Sequence, residues 1–272
     1  MHIRLFEEMI MFKQFLLGTA GVLVAATMAA TAANAALIID DFTDALENDV
    51  TGNGDGEVRD VSNNGVGTFD RSVQILGTII GGDRELVVEK TNGGATSSAG
   101  GLVYAQIIDP GYFTHNNGST TTGTSLLRWD GSGSGDTDGL DYNLGANLSV
   151  TAGSSYIHIS VISADLSNSS VRLTLYTDAI NYSSAVVALP SGPSEHYISL
   201  ADIANLSNLN ITQFGSGVDL ATVNAIELYA VGGADFDIAI DIIETVPEPA
   251  SLTLLGAGIM GLGAVKRRRK AA

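Results

Sequence analysis

SSYIHISVIS, residues 154–163, is the stretch that decides the fold class. Apolar and polar side chains alternate along it: Ile157, Ile159 and Val161 fall on one side, and Tyr156, His158 and Ser160 on the other. A period of two residues is that of a β-strand with one face buried and one face in water. The stretch therefore predicts a strand of an antiparallel sheet.

The same alternation recurs along the rest of the chain. It is clear in VRLTLYTD (171–178), and in FDIAIDII (236–243) it sets Phe236, Ile238, Ile240 and Ile242 against Asp237, Ala239 and Asp241. Segments rich in Gly, Asn, Ser and Thr separate the apolar runs, as expected for surface loops. This pattern of short strands predicts an all-β fold for residues 36–245, an antiparallel two-sheet sandwich that is jelly-roll-like. One short helical turn is expected at SLADIANLS (199–207).

Charge is distributed unevenly along the chain. Residues 36–245 carry 27 of the 30 Asp and Glu residues but only six Arg and Lys residues, a net charge of −21. A domain this acidic repels phosphate backbones, so nucleic-acid binding is not expected. Neutral glycans, cations or other proteins are the expected partners. Because the chain has no cysteine, core packing must hold the domain together, with or without a metal ion.

The first 35 residues have the layout of an export signal. Basic residues precede an apolar run, and ANA at residues 33–35 ends it. A basic start, an apolar middle and an A-x-A exit define a secretory signal peptide, so we expect cleavage between Ala35 and Ala36. A retained signal anchor is the alternative, which the small residues before the cleavage site disfavour. Met11, followed by FKQF, is an alternative translation start.

The chain ends with VPEPASLTLLGAGIMGLGAVKRRRKAA, residues 246–272. Its two prolines keep the start of the segment extended. Residues 250–265 are apolar or small and span about 24 Å as a helix, against a hydrocarbon core of about 30 Å. We predict a transient inner-membrane anchor through this transmembrane helix, with a permanent anchor as the alternative. The positive-inside rule places the basic stop segment in the cytoplasm. That segment comprises Lys266, Arg267, Arg268, Arg269 and Lys270.

The order of a Pro-Glu-Pro motif, a short apolar helix and a basic end resembles the PEP-CTERM sorting signal of bacterial exported proteins. This signal is also catalogued as the C-terminal domain of certain ice-binding proteins. The matching motif residues are Val246, Pro247, Glu248 and Pro249. The resemblance implies recognition by exosortase, a membrane protease-transpeptidase, and cleavage near the motif. It also implies transfer to the cell surface or the exopolysaccharide matrix, with exosortase and signal peptidase as processing partners.

The strand pattern of residues 36–245 is similar to that of jelly-roll carbohydrate-binding modules. The similar features are IIDDF near the start, the apolar run into Trp129, the IxLADI stretch and the closing AIELYAVGGADFDIAIDIIE. The resemblance implies that the first and last strands pair and that their carboxylates hold a structural calcium ion. The candidate ligands are Asp40 or Asp41 together with Asp237 or Asp241.

Other metal and catalytic sites are less well supported. DVTGNGDGEVRD (49–60) offers oxygen ligands on a glycine-turned loop. It lacks the bidentate glutamate of a calcium loop, so an ordinary surface loop is the favoured interpretation. GSGSGDTDGLD (131–141) is a weaker candidate of the same kind. His115, His158 and His196 lack the spacing of a zinc site. The sequence therefore predicts no catalytic residues and no cofactor beyond the candidate calcium.

Trp129, the only tryptophan, has two interpretations. In the first, it forms a stacking surface for sugar rings with Tyr104, Tyr112, Phe113 and Tyr142. In the second, which we favour, it fills the core, because the preceding Leu126, Leu127 and Arg128 have the pattern of a strand end.

Together these features predict a non-enzymatic exported protein of the cell surface or biofilm matrix, either structural or glycan-binding. A secreted polysaccharide-active enzyme is the alternative, and it requires two carboxylates about 5 to 9.5 Å apart in a cleft. Ice binding follows only from the other catalogue name of the tail. It requires flat arrays of threonines, whereas TTT at 120–122 is a single short run.

Overall fold

The computed structural model describes residues 36–247, except for 44–56, 62–64, 76–78, 94–100, 109–110, 132–138, 150–154, 167–168, 207 and 209. This part of the chain contains fourteen strands and one α-helix. The strands are β1 (Leu37–Asp40), β2 (Glu57–Asp60), β3 (Phe69–Ile75), β4 (Asp83–Asn92), β5 (Val103–Ile108), β6 (Tyr112–Asn117), β7 (Thr122–Trp129), β8 (Tyr156–Ala164), β9 (Ser169–Tyr176), β10 (Tyr182–Leu189), β11 (Ser194–Ser199), β12 (Ile211–Phe214), β13 (Ala225–Val231) and β14 (Asp237–Val246).

The strands form two antiparallel sheets of seven strands each. Sheet 1 has the order β11-β8-β14-β6-β5-β2, and β1 pairs with the second half of β14. Sheet 2 has the order β12-β10-β9-β13-β7-β4-β3. Because one continuous core contains residues of both sheets, the predicted antiparallel two-sheet sandwich is confirmed. The chain crosses repeatedly between the sheets, as it does in jelly rolls.

The period-two pattern correctly predicts which faces are buried. Ile157, Ile159 and Val161 of β8 are at most 1% exposed, and they face a similarly buried set from sheet 2. That set contains Val171, Leu173 and Leu175 of β9 and Ile226, Leu228 and Ala230 of β13. Burial of such side chains stabilises a fold by about 1.5 to 3 kcal/mol each. The sandwich therefore derives its stability from this shared apolar layer.

The last strand, β14, departs from the predicted alternation. Its pairing with β8 shifts register between Ile240 and Ile242. Beyond that irregularity Ile243 is fully buried, while Ile242 is only partly buried. The expectation that Ile242 continues the buried face was therefore wrong, because a β-bulge inserts one residue and reverses the facing of those that follow.

A fully buried ion pair joins the two sheets. Arg84 of β4 donates through Nη1 to both carboxylate oxygens of Asp40 on β1, at 2.9 and 2.8 Å. It also donates through Nη2 to Gln74 at 2.7 Å. The indole Nε1 of Trp129 and the backbone N–H of Phe42 donate to the same carboxylate. Four hydrogen bonds thus compensate Asp40 for the water it loses, although burial still raises its pKa.

A second ionisable group lies in the same interior. His115 of β6 is fully buried against Phe236, with ring centroids 5.7 Å apart. Burial lowers its pKa from 6.5 to about 4, so the ring is neutral at physiological pH. This histidine therefore belongs to the core.

The predicted helical turn is confirmed as α1 (Leu200–Asn205). Ser199 caps its start, since its side chain accepts a hydrogen bond from the backbone N–H of Asp202. No helix among the residues described between Ala36 and Pro247 is long and apolar enough to cross a membrane. The predicted anchor, residues 250–265, lies outside the described residues.

Candidate functional site

A continuous series of side chains crosses the outer face of sheet 2. Each of the seven strands contributes one side chain, and each side chain contacts the next. In spatial order they are Phe214, Tyr182, Tyr176, Glu227, Arg128, Glu85 and Arg71. We call this set the sheet 2 row.

The first half of the sheet 2 row is aromatic. The rings of Tyr182 and Phe214 stack with centroids 4.5 Å apart and planes 19° apart, and those of Tyr176 and Tyr182 lie 5.0 Å apart. Tyr142, from the connection after β7, meets Tyr176 edge-on at 6.0 Å. Phe214 is 48% exposed. These rings therefore present their faces at the surface of sheet 2.

The second half of the sheet 2 row is ionic and holds the aromatic half in place. The hydroxyl of Tyr176 donates to Oε2 of Glu227 at 2.6 Å. Arg128 donates through Nε to Oε1 of Glu227 at 3.0 Å and through Nη1 to Oε2 of Glu85 at 2.5 Å. Nε of Arg71 lies 2.6 Å from Oε1 of Glu85. Charge-assisted contacts of this kind are among the strongest that side chains make.

The charges of this network are set by burial and by its neighbours. Burial, together with nearby Glu227, raises the pKa of Tyr176, so its hydroxyl keeps the proton that it donates. Burial also raises the pKa of Glu85, against the opposing effect of Arg128 and Arg71. Burial tends to lower the pKa of Arg128, but its two glutamate partners outweigh that effect and raise it.

Strand register brings these residues together. Directly opposed residues of antiparallel strands lie on the same face. Tyr182 is paired with Phe214 on one side and with Tyr176 on the other. Arg128 is likewise paired with Glu227 and Glu85. The turn between β9 and β10 fixes part of this register, because Asp178 accepts hydrogen bonds from the backbone of the residues that follow it.

An exposed arginine lies on the same face, four residues before Tyr176 on β9. The Cζ atom of Arg172 is 4.8 Å from the ring centroid of Tyr229, which is within cation–π range. The hydroxyls of Thr174 and Ser184, 2.9 Å apart, lie between this pair and the aromatic rings. The face thus combines rings for stacking with an exposed guanidinium group for hydrogen bonding.

A groove of about 660 Å³ lies beside this face, between the edges of the two sheets. It is lined by Val186 of β10, which is paired with Arg172, and by polar groups that include Asp202 and Asn210. Tyr156 and Tyr197 of sheet 1 line the opposite side. The outer face of sheet 2 is therefore continuous at Val186 with a polar groove.

The stacking surface considered from sequence does not form. Trp129 is fully buried, which confirms the favoured interpretation of core packing, and Phe113 is 1% exposed. Tyr104 and Tyr112 lie on sheet 1, away from the sheet 2 row. Only Tyr142 reaches the aromatic half of the row.

The sequence contained a signal for the residues that were missed. In VRLTLYTD, Tyr176 alternates with the apolar Leu173 and Leu175, which places it on the polar face of its strand. An aromatic side chain on a polar strand face is a candidate for ligand contact. Its partners Tyr182 and Phe214 could not be identified in the same way, since the contacts depend on a register that the sequence does not state.

The calcium candidates occupy different surroundings. Asp40 is paired with Ile243 and its carboxylate is occupied by Arg84, whereas Asp237 is paired with Asn116 in the other half of β14. The predicted pairing of the first and last strands is confirmed, but the structure does not bring Asp40 and Asp237 together. Asp41 accepts hydrogen bonds from Thr43. Asp241 is exposed.

Neither predicted loop can be followed in full. Most of 49–60 and of 131–141 lies outside the described residues. In the part of the chain that the structure describes, no group of three or more His, Asp or Glu side chains is arranged to hold a metal ion. Structural calcium stays a prediction.

The three histidines lie in three different environments. His115 is in the core, while His158 on the outer face of sheet 1 contacts Glu244 at 3.1 Å and Glu195 at 2.6 Å. The hydroxyl of Ser194 lies 2.8 Å from Nε2 of His196. They do not form one site.

The processing residues predicted from sequence lie at the two ends of the described chain. Ala36 is exposed, and Ala35 lies outside the described residues. Val246 ends β14 and Pro247 follows it. Glu248, Pro249 and the basic stop segment lie beyond the described part.

Solved structures with some similarity to this chain include carbohydrate-binding modules and agarases. The family 11 carbohydrate-binding module from Clostridium thermocellum, solved with a β-1,3-1,4-mixed-linked tetrasaccharide, is 9% identical, with a TM-score of 0.33. The match covers 70% of this chain and 95% of that one. A family 30 carbohydrate-binding module is 13% identical over 70% of this chain and 99% of that one, with a TM-score of 0.34.

An exo-β-agarase is 12% identical, with a TM-score of 0.35, over 70% of this chain and only 25% of the agarase. No curated protein sequence matches the chain. A family model for the PEP-CTERM protein-sorting motif matches residues 245–270. The chain therefore carries a PEP-CTERM protein-sorting motif at its C-terminal end, as predicted, and this motif marks it as an exported protein.

Proposed function

We propose that this exported protein binds polysaccharide, without catalysing its cleavage, on the outer face of sheet 2. The observation that carries the proposal is the set of adjoining rings of Tyr176, Tyr182 and Phe214 at the surface of the domain. Sugar rings have apolar C–H faces that pack on aromatic rings, and their hydroxyls need hydrogen-bonding groups at the edges.

The ionic half of the sheet 2 row supports this proposal because it pre-organises the aromatic half. Glu227 accepts from the hydroxyl of Tyr176 and is itself held by Arg128. A ring fixed before binding loses little conformational freedom when a ligand arrives, so more of the contact energy appears as affinity. The row is therefore suited to a rigid, repeating ligand.

The same contacts favour binding over hydrolysis. The glutamates of the sheet 2 row, Glu85 and Glu227, both form ion pairs with Arg128. A glycosidase needs one carboxyl group that is protonated and one that is free to act as base or nucleophile. Carboxylates held by a shared arginine meet neither need, so we assign them a positioning role.

We propose further that exosortase processes the C-terminal end and delivers the domain to the cell surface or the exopolysaccharide matrix, after signal peptidase has removed the N-terminal segment. Pro247 directly follows the end of β14. The motif thus begins at the last residue of β14, at the C-terminal boundary of the described domain. Intact-mass measurement of surface-released protein tests this step, since a species that still carries residues 250–272 would contradict it.

Binding is tested with the full chain on a panel of bacterial and plant polysaccharides, by affinity electrophoresis, with calcium and with a chelator. We expect Tyr182→Ala and Phe214→Ala each to weaken binding at least about tenfold, as truncation of an aromatic anchor does. Tyr104→Ala is the matched control, because Tyr104 is a partly exposed tyrosine on sheet 1, away from the sheet 2 row.

Two outcomes would overturn the proposal. One is that no polysaccharide on the panel is retarded by the parent protein. The other is that Tyr104→Ala weakens binding while the two sheet 2 variants do not. Near-UV circular dichroism of each variant shows whether its fold is retained, so loss of binding can be distinguished from loss of structure.

A further inference from the structure

The basic side chains of the acidic domain are not spread evenly over its surface. Residues 36–245 contain six of them, of which Arg84 and Lys90 are fully buried. The side chain of Arg59 lies outside the described part. The remaining three, Arg71, Arg128 and Arg172, all lie on the outer face of sheet 2. Arg128 is only 8% exposed, so the accessible positive charge described in this domain comes from Arg71 and Arg172, both on the proposed binding face.

These three arginines differ in their partners. Arg71 and Arg128 form ion pairs with the glutamates of the sheet 2 row. Arg172 is exposed and stacks against Tyr229, and among the described side chains it forms no ion pair. In a domain with a net charge of −21, an arginine without a carboxylate partner is unusual. Its charge is available to a ligand.

Tyr229 gives Arg172 a defined position. A guanidinium group that packs on an aromatic ring keeps its N–H groups available at its edge, where a carboxylate can accept two of them. The ring also limits the rotamers of the long side chain, which lowers the entropy lost on binding. The Arg172–Tyr229 pair therefore supplies a guanidinium group that is already positioned for a bidentate contact with a carboxylate.

The distance between this pair and the aromatic rings is set by the strand. Arg172 and Tyr176 are four residues apart on β9, which corresponds to about 13 Å at the rise of a β-strand. The short side chains of Thr174 and Ser184 lie between them. An oligosaccharide can span this distance along β9, with one sugar on the rings and another at the guanidinium group.

We infer that the ligand of this face is an acidic polysaccharide and that Arg172 recognises the carboxylate of a uronic acid unit. The inference rests on the proposed function and gives its ligand a chemical class. The charge of the whole domain opposes a polyanion, but this repulsion is screened beyond about 8 Å at physiological ionic strength. A direct guanidinium–carboxylate contact is much shorter than that and is retained.

The test compares each of several polyuronates with its carboxyl-reduced form, which has the same backbone without the charge. Polygalacturonate, alginate and a glucuronan are the probes, at 150 mM salt with the full chain. We expect at least one polyuronate to bind about tenfold more tightly than its reduced form. In Arg172→Gln this ratio should fall to within about twofold of one, and Arg172→Lys should retain part of it, since lysine keeps the charge without the fork.

Ser163→Asp is the matched control, because it lowers the net charge by one, as Arg172→Gln does, but at an exposed position on sheet 1. It should leave the ratio unchanged. If the parent binds reduced and acidic polymers equally, or if Arg172→Gln keeps the preference, the inference is overturned while the proposed function stands. If no pair is bound at all, the inference is overturned, and the wider polysaccharide panel decides whether the proposed function stands.

Discussion

The interior between the sheets and the outer face of sheet 2 each hold an arginine bound by two side chains, and the two settings have different consequences. Arg84 contacts Asp40 and Gln74 with no exposure to water. Arg128 contacts Glu85 and Glu227 at the edge of solvent. In the core, loss of one partner leaves a buried charge without compensation. On the outer face of sheet 2, water can take the place of the lost partner. The inner group therefore holds the fold together, and the outer group positions a surface.

The largest expected effect is at the inner pair. Asp40→Ala leaves Arg84 buried without its carboxylate and removes the acceptor of Trp129 Nε1. We expect it to lower the free energy of unfolding by about 3 to 5 kcal/mol, measured by urea denaturation. Asp41→Ala, at the neighbouring position, should cost less than about 1 kcal/mol. Equal losses of stability in the two variants would contradict the claim that the buried contacts of Asp40 hold the fold together.

The second effect concerns pH. The unfolded chain protonates His115 near pH 6.5, but the folded protein does so only near pH 4. The free energy of unfolding should therefore fall by up to about 3 kcal/mol as pH drops through this window. The raised pKa of buried Asp40 acts in the opposite direction at the acid end.

Substitution isolates the contribution of the histidine. His115→Leu should flatten the difference in stability between pH 7 and pH 4 relative to the parent protein. Urea denaturation at a series of pH values measures both. Parallel curves for the parent protein and His115→Leu would rule out the buried histidine as the cause.

A smaller effect is expected on the outer face. Tyr176→Phe removes the hydroxyl that donates to Glu227 at 2.6 Å. We expect a loss of about 1 kcal/mol in unfolding free energy, together with weaker polysaccharide binding, because the ring is less firmly held. Tyr182→Phe is the control, since the hydroxyl of Tyr182 has no hydrogen bond among the described residues. A loss of stability in both variants would weaken the positioning role of Glu227.

The smallest effect is expected where water access is greatest. Glu195 contacts His158 on sheet 1 and its side chain is 56% exposed. Glu195→Gln should change the unfolding free energy by about 0.5 kcal/mol or less, because water can replace the contact of an exposed side chain. A change as large as that of Asp40→Ala would mean that burial does not explain the contrast between inside and outside.

The sequence predicted the sandwich because its signal is local. Period-two alternation correctly assigned the buried face of β8 and β9, and α1 forms within the stretch SLADIANLS where a helical turn was expected. The face reversal at Ile243 was missed because a bulge depends on the partner strand. Leu127 and Trp129 share a face by the same alternation, which is why core packing was the better interpretation of the tryptophan.

The site was less predictable because its contacts are not local. Tyr176, Tyr182 and Phe214 meet through the register of three strands, and Arg128 meets its glutamates through three others. Asp40 was considered as a calcium ligand, since a sequence does not reveal that Arg84 faces it across the core. Local patterns in a single sequence do not predict which distant segments pair with each other.

The pairing of β1 with β14 also has a mechanical consequence. Leu37 lies opposite Thr245, so the two ends of the domain emerge at the same place. β14 is hydrogen-bonded along its length to β8 on one side, and to β6 and then β1 on the other. Tension applied at Val246 therefore acts along β14 and loads these bonds in shear, together rather than one by one. If the domain binds a polymer on sheet 2, as proposed, and is held at its C-terminal end, this arrangement opposes the separation of β14 from its neighbours.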